Sequence, residues 1–454
     1  MILGKNDLEK AYTDIRSKSF EGGCTVMLLV AKDVDAVCAC RILTEIFQSE
    51  NISYNIKPVD GYTEVRKGID DFVDSHKTAK SIILINCGNK IDIQGEFRSM
   101  ENVTFFVFDT HRPINEANVE NTSNVFIFQD DAATFANHSQ CASNEIDTHD
   151  PTPPLDTHIT NEFTSTNDSR KRDRQDDKSA DVLSKRPRSG DMHARGNTCC
   201  VAAAHLCYLL AKQLNKDSND MLWMAIVGVT SYYVTGKIAR EAFVNTMSLY
   251  RIEVTDKNPS NVQFSEADDG TTVPNTHIGR IDVADEFRLM LFRHWTFYQA
   301  LFYSDYVVAR LRTWKATGKA KLDEFLAKMG ISKKQCNQKY NFMDLSLKNM
   351  LKEKLHSHGE EFSLKELSYE SFQRNIGLHV KVSAADIVYS CNALLGRFDD
   401  DLHFNNAYDS LIGHACTKLT TDGLKLSMQI QRAIVEEGVS LLEPGQIIKF
   451  APFR

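Results

Sequence analysis

Nothing in the sequence reaches the run of about 20 apolar residues that a bilayer-crossing helix needs, and no secretory leader is recognisable at its start. The cysteines, 11 in number, are scattered, with no second C-x-x-C pair to complete a zinc site. Cys38 and Cys40 would point apart on a helix, and Cys199 and Cys200 are adjacent. These absences predict reduced thiols in an intracellular protein, no structural zinc and no membrane contact. A basic excess is lacking too: the net charge is −8 and the pI ≈ 6.0. That argues against a surface wrapped wholly by nucleic acid, and leaves room for a local basic groove. What is present is ordinary globular composition, 454 residues with 42% hydrophobic and 25% charged, enough for about two to four domains.

Residues 1–130 alternate strand and helix signals. Apolar runs at 25–31, 53–59, 81–86, 103–109 and 124–129 read as strands, with amphipathic helices at Ala36–Phe47 and Tyr62–Ser75. Near-continuous apolar strands joined by helices predict a doubly wound parallel sheet covered on both faces, an α/β fold. Residues 131–197 are Asn-, Ser-, Thr- and Asp-rich and read as a disordered linker. Inside it, Arg170-Lys171-Arg172 and Lys185-Arg186-Pro187-Arg188 are spaced as a bipartite nuclear import signal. A solvated charge run or a basic tract for nucleic acid is the alternative. Residues 198–252 read as helices completing the first domain, 253–280 as a polar loop, and 281–382 as an α-helical inserted module. Within that module 285–314 reads as one long helical region, and Gly330 as the C-terminal cap of a later helix. From 383 to 454 a truncated C-terminal α/β lobe begins, with helices and then an edge strand at 445–450 of low order.

Parallel sheets present ligands at the carboxyl ends of their strands. Asp33 and Asp35 follow the first run, Asn86 the third, and Asp109-Thr110-His111 the fourth. Asp and His with open positions suit Mn²⁺ or Mg²⁺, and two such ions can activate water against a phosphodiester. The bland alternative is that the acids cap helix N-termini. Arg112, beside His111, is a candidate contact for a DNA backbone, or part of a tight loop shaped by Pro113.

"VAKDVDAVCACRIL", "ILINCG" and "FFVFDTHRPIN" resemble the first three motifs of the DHH phosphoesterase superfamily, which includes the RecJ exonuclease. With "NDMLWMAIVGVTSYYVTGKI", "MLFRHWTFYQALFYSDYVVARLRTW" and "FLAKMGISKKQCNQKYNFMDLSLK", the chain more closely resembles the cell division control protein 45 family of eukaryotic replication factors, held to be inactive relatives of RecJ. The resemblance implies a DHH-like first domain and a DHHA1-like lobe from 383. It makes Asp33, Asp35, Asp109 and His111 vestigial ligand positions, and Ala31, Asn86 and Thr110 lost ones. It further implies a nuclear, non-catalytic component of the replicative helicase with no cofactor. Its partners would be the MCM ring, the GINS complex and a replicative polymerase, with weak single-stranded DNA contact. The alternative is an active Mn²⁺-dependent single-strand exonuclease of RecJ type.

Overall fold

The computed structural model describes residues 2–128 and 201–441, apart from 21–25, 76–80, 98–99, 101, 120–123, 260–263, 267–271, 275–277, 378–379, 397–400 and 414–415. The linker 131–197 with its basic clusters, and the strand expected at 445–450, lie outside the described residues.

The first domain is the doubly wound sheet expected from the apolar runs. Its strands are β1 (Ile2–Leu3), β2 (Val26–Ala31), β3 (Tyr54–Val59), β4 (Ser81–Ile85), β5 (Thr104–Phe108) and β6 (Val125–Phe128). They lie in the order β1-β6-β5-β4-β2-β3, and every pair is parallel. Alternate side chains of one strand go to opposite faces. Leu28, Val30, Ile83, Ile85, Phe106 and Phe108 enter one core, while Met27, Leu29, Ile82, Leu84, Phe105 and Val107 enter the other. Helices α1 (Leu8–Phe20) and α2 (Val34–Ser49) belong to the first face and α3 (Tyr62–Ser75) to the second. Pro58, which cannot donate to a ladder, sits on the edge strand β3. The chain leaves β2 in one direction to β3 and returns past it to β4, so the winding reverses there. The crevice for a ligand belongs at the ends of β2 and β4.

The first core continues through α4 (Ala203–Gln213), α5 (Asn219–Val234) and α6 (Arg240–Lys257). Helix α5 is buried from Met221 to Tyr232, as an all-apolar helix must be. The stretch expected as a polar loop at 253–280 is not loop throughout. Helix α6 runs to Lys257, and the strands β7 (Phe264–Glu266) and β8 (Thr272–Pro274) pair within the stretch.

The module is not wholly helical. Strand β9 (Ile281–Phe287) takes the start of the expected long helix, and the remainder breaks into α7 (Phe297–Tyr303) and α8 (Asp305–Leu311) at Ser304. Asp282, Ala284 and Glu286 alternate with Val283, Asp285 and Phe287 in antiparallel pairing to β10 (Ser368–Asn375), which also carries β11 (Lys381–Ser383). The dense aromatics beyond hid this strand, because a short apolar-polar mixture fits either period. Helices α9 (Ala316–Lys328) and α10 (Leu345–Gly359) form the module's own core with Trp295, Phe297 and Phe325. Gly330 has φ +67° as the helix-ending residue, and the Ile331 amide reaches back to the Leu326 carbonyl at 3.1 Å.

Three helices follow: α11 (Ala384–Leu395), α12 (Asp401–Leu411) and α13 (Cys416–Leu441). The expected helices are there, but α11 and α12 give Ile387, Val388, Cys391, Phe404 and Leu411 to the first core. Helix α13 packs along α11 and sends Leu424 into the module's core.

Candidate functional site

Residues from β2, β4 and β5 meet at the rim where the winding reverses. Strand β2 ends at Ala31, whose methyl group packs against both cores and offers no donor or acceptor. Asp33 is extended (φ −134°, ψ 159°) and caps α2, its Oδ1 accepting from the Ala36 amide at 2.9 Å. Asp35 is buried in the first turn of α2 and serves a second helix. Its Oδ2 and Oδ1 accept from the Ala203 and Ala204 amides at 2.8 and 2.9 Å, the N-terminal turn of α4. Oδ2 also accepts from the Tyr232 hydroxyl (3.0 Å) and from Asn86 Nδ2 (3.0 Å). Helix α5 approaches closely enough for this because residue 228 is glycine. A Cβ there would lie 2.6 Å from Ala204 Cβ and 2.7 Å from Asp35 Oδ1.

Asn86 takes the left-handed conformation (φ 56°) that Asn tolerates. Its amide nitrogen faces both Asp33 (3.2 Å to Oδ1) and Asp35, placing a donor between two carboxylates. Thr110 Oγ1 lies 2.7 Å from the Tyr232 hydroxyl, so Asp33, Asp35, Asn86, Thr110 and Tyr232 form one network. Asp109 stands in a neighbouring one. Its Oδ2 accepts from the Gly88 and Asn89 amides (2.9 and 2.8 Å), and its Oδ1 meets the His111 amide (2.9 Å) and Nδ1 (2.8 Å). Asp109 thus ties the end of β5 to the loop after β4. The Arg112 guanidinium turns back onto the His111 carbonyl at 3.1 Å, and Arg112–Pro113 is a cis peptide.

Burial, and then the neighbouring Asp35, push the Asp33 carboxyl up to about 6. Burial raises Asp35 as well, against the pull of its four donors. For Asp109 burial acts upward, but the His111 hydrogen bond and the amides of Asn89 and His111 outweigh it and hold the carboxyl low. The same bond to Asp109 raises His111.

A carboxylate has about four lone-pair directions. Asp109 has two protein donors on each oxygen, and Asp35 has three on Oδ2 and one on Oδ1. A cation at either carboxylate would compete with these backbone amides. Asn86 and Thr110 contribute a neutral amide and a hydroxyl where anionic or imidazole ligands would be needed to hold two dications together. Among the described residues no group of three or more His, Cys, Asp or Glu could hold a metal ion.

Four contributors escaped the sequence reading: Tyr232, Asn89, Gly228 and the Ala203–Ala204 amides. Tyr232 had a signal, since a hydroxyl near the end of a buried apolar helix must find a partner. The amides had none, because the alanine side chains say nothing of what their backbone binds.

Fold and site together define an α/β protein with a doubly wound parallel sheet whose strand-end acids are engaged by the protein itself. The family model described as CDC45 matches residues 26–197 and 155–402. The cell division control protein 45 homologue of Schizosaccharomyces pombe is 30% identical over 100% of this chain and 80% of its own length. That of Homo sapiens is 31% identical over 94% of this chain and 75% of its own. The crystal structure of CDC45 from Entamoeba histolytica superposes with a TM-score of 0.73 at 21% identity, covering 97% of this chain and 75% of that one, which shows a common fold. The chain belongs to the CDC45 family. Membership supports a role in DNA replication, consistent with a nuclear location, and among the described residues no helix is long and apolar enough to cross a membrane.

Proposed function

We propose that the chain is a non-catalytic component of the replicative helicase that bridges the MCM ring and the GINS complex, with a replicative polymerase as a further neighbour. Asp33, Asp35, Asp109 and His111 are vestigial ligand positions retained for the fold, and Ala31, Asn86 and Thr110 are the lost ones. One observation carries this reading: the oxygens of Asp35 accept four protein hydrogen bonds, two of them from the N-terminus of α4. A residue so engaged holds helices together, and a metal at this carboxylate would compete with those donors. Arg112 supplies weak contact to single-stranded DNA, since backbone contact needs charge and not chemistry. Arg170, Lys171, Arg172, Lys185, Arg186 and Arg188 form the nuclear import signal.

The test is twofold. Purified protein with Mn²⁺ and end-labelled single strands should yield no cleavage, and affinity purification from nuclear extract should recover MCM and GINS subunits. Metal-dependent cleavage abolished by Asp35→Ala would overturn the non-catalytic reading in favour of a RecJ-type exonuclease.

A further inference from the structure

The helical module has a charge unlike that of the rest of the chain. Between Arg310 and Lys365 stand thirteen Lys and Arg against six Asp and Glu, in a chain of net charge −8. Part of this charge surrounds a cavity of ≈ 980 Å³ between α10, the small sheet and α13. Lys339, Lys348, Lys352 and Tyr340 line one wall, and Lys381 and Lys425 the other. Lys352 and Lys381 are ion-paired with Asp285 and Asp282. Lys348 is held by neutral groups, the Asn341 carbonyl at 2.9 Å and the Tyr340 ring at 5.2 Å. Among the described residues neither Lys339 nor Lys348 has an ion pair.

Beside this wall two large apolar side chains face solvent, Phe342 at 79% and Leu345 at 69% exposure. Helix α10 buries Leu347, Leu351 and Leu355 on one side. Helical spacing puts Leu345 on the other, in line with Lys348, Asn349 and Lys352. An exposed aromatic next to an exposed leucine in a basic frame has the makeup of an interface anchor.

We propose that this face docks an acidic amphipathic segment of a partner protein, its apolar residues against Phe342 and Leu345 and its carboxylates toward Lys339 and Lys348. Leucine has no flat face on which a base could stack, so an amphipathic peptide fits the surface better than a nucleic acid strand. Charge complementarity would speed encounter, and the apolar pair would supply residence time. The proposal rests on the scaffold reading and names the chemistry of one partner for the helical module.

The test is selection of a displayed random peptide library, about 16 residues long, against the full chain. The Phe342→Ser/Leu345→Ser/Lys348→Glu variant serves as counter-target, and its melting temperature is checked first. Enriched peptides should combine Asp and Glu with large apolar residues at i, i+3 or i, i+4. By fluorescence anisotropy they should bind the variant about tenfold or more weakly and an Ile252→Ser control unchanged. No enrichment over the counter-target, or enrichment of neutral or basic peptides, overturns the proposal. A labelled oligothymidine strand that loses more affinity than the peptides on the same substitutions would also overturn it, assigning the face to nucleic acid. Binding is read on the isolated chain, so it can fail while MCM and GINS co-purify, and the reverse.

Discussion

Asp35 offers the cleanest separation of a structural from a catalytic acid. A ligand kept for metal chemistry is a burden to the metal-free fold, and its removal next to Asp33 would relieve repulsion. Here Asp35→Ala instead leaves the Ala203 and Ala204 amides, the Tyr232 hydroxyl and the Asn86 amide without their acceptor. Urea denaturation should report a loss of about 3 kcal/mol or more. Unchanged or raised stability would show that the carboxylate is not a cap. Tyr232→Phe removes one donor and should cost about 1 kcal/mol in the same assay. Asn86→Asp replaces the donor between Asp33 and Asp35 with a third carboxylate. It should lower the melting temperature without metal, and Mn²⁺ should recover part of the loss by binding the folded state. The unmodified chain should not respond to Mn²⁺. The acids themselves were visible in the sequence, each just past an apolar run. Their occupation was not, because it depends on amides that arrive from residues 203 and 204, more than a hundred positions away.

Between elements, the N-terminus of α11 is tied to the loop after β9 through buried charge. Ser383 and Asp386 form a capping box, with the Ser383 amide donating to Asp386 at 3.1 Å. His294 Nε2 lies 3.3 Å from Asp386, and Arg293 holds both oxygens of Glu286 at 2.8 and 2.7 Å. Burial acts to raise Asp386, but His294 and Arg293 outweigh it and hold the carboxyl at about 2. Burial acts to lower His294, and Asp386 reverses that and raises it. Glu286 is pushed up to about 7, chiefly by burial. The raised His294 stabilises the fold fully below its ordinary value of 6.5, and this is lost as pH rises through its higher folded value. Glu286, raised from 4.5, disfavours its own ionisation in the fold, so stability falls between 4.5 and about 7. Asp386 acts at the other end, its contribution present above 3.8 and lost toward about 2. Melting temperature should therefore decline from about pH 5 to about pH 8. His294→Gln and Glu286→Gln should each flatten the decline, and an undiminished slope in both would show that this cluster does not set it. None of this coupling was legible. The residue pattern after 281 does not show that Glu286 lies near the end of a strand and that Arg293 lies in the turn after it.

Over the whole molecule, the sheet was the most legible part, since fully buried parallel strands announce themselves as apolar runs. The assignment of later helices to a core was the least. The apolar face of Ala384–Leu395 was plain, but a face does not name its partner, and an independent lobe was an equally good reading. The structure puts that face against α2 and α5, under the network of Asp35 and Asn86. Ile387, Val388, Cys391, Leu394, Phe404, Ala407 and Leu411 all enter the first core. At about 1.5–3 kcal/mol for each large apolar side chain, their burial contributes on the order of 10 kcal/mol. That rivals the whole stability of a typical domain, about 5–15 kcal/mol. A chain ending at Ser383 should therefore lack a cooperative thermal transition and bind a hydrophobic dye, although it keeps every strand of the large sheet. The full chain should melt cooperatively under the same conditions. If the shortened chain melts cooperatively near the temperature of the full one, then α11 and α12 are accessories. The strand-end network must in that case be held by α4 and α5 alone.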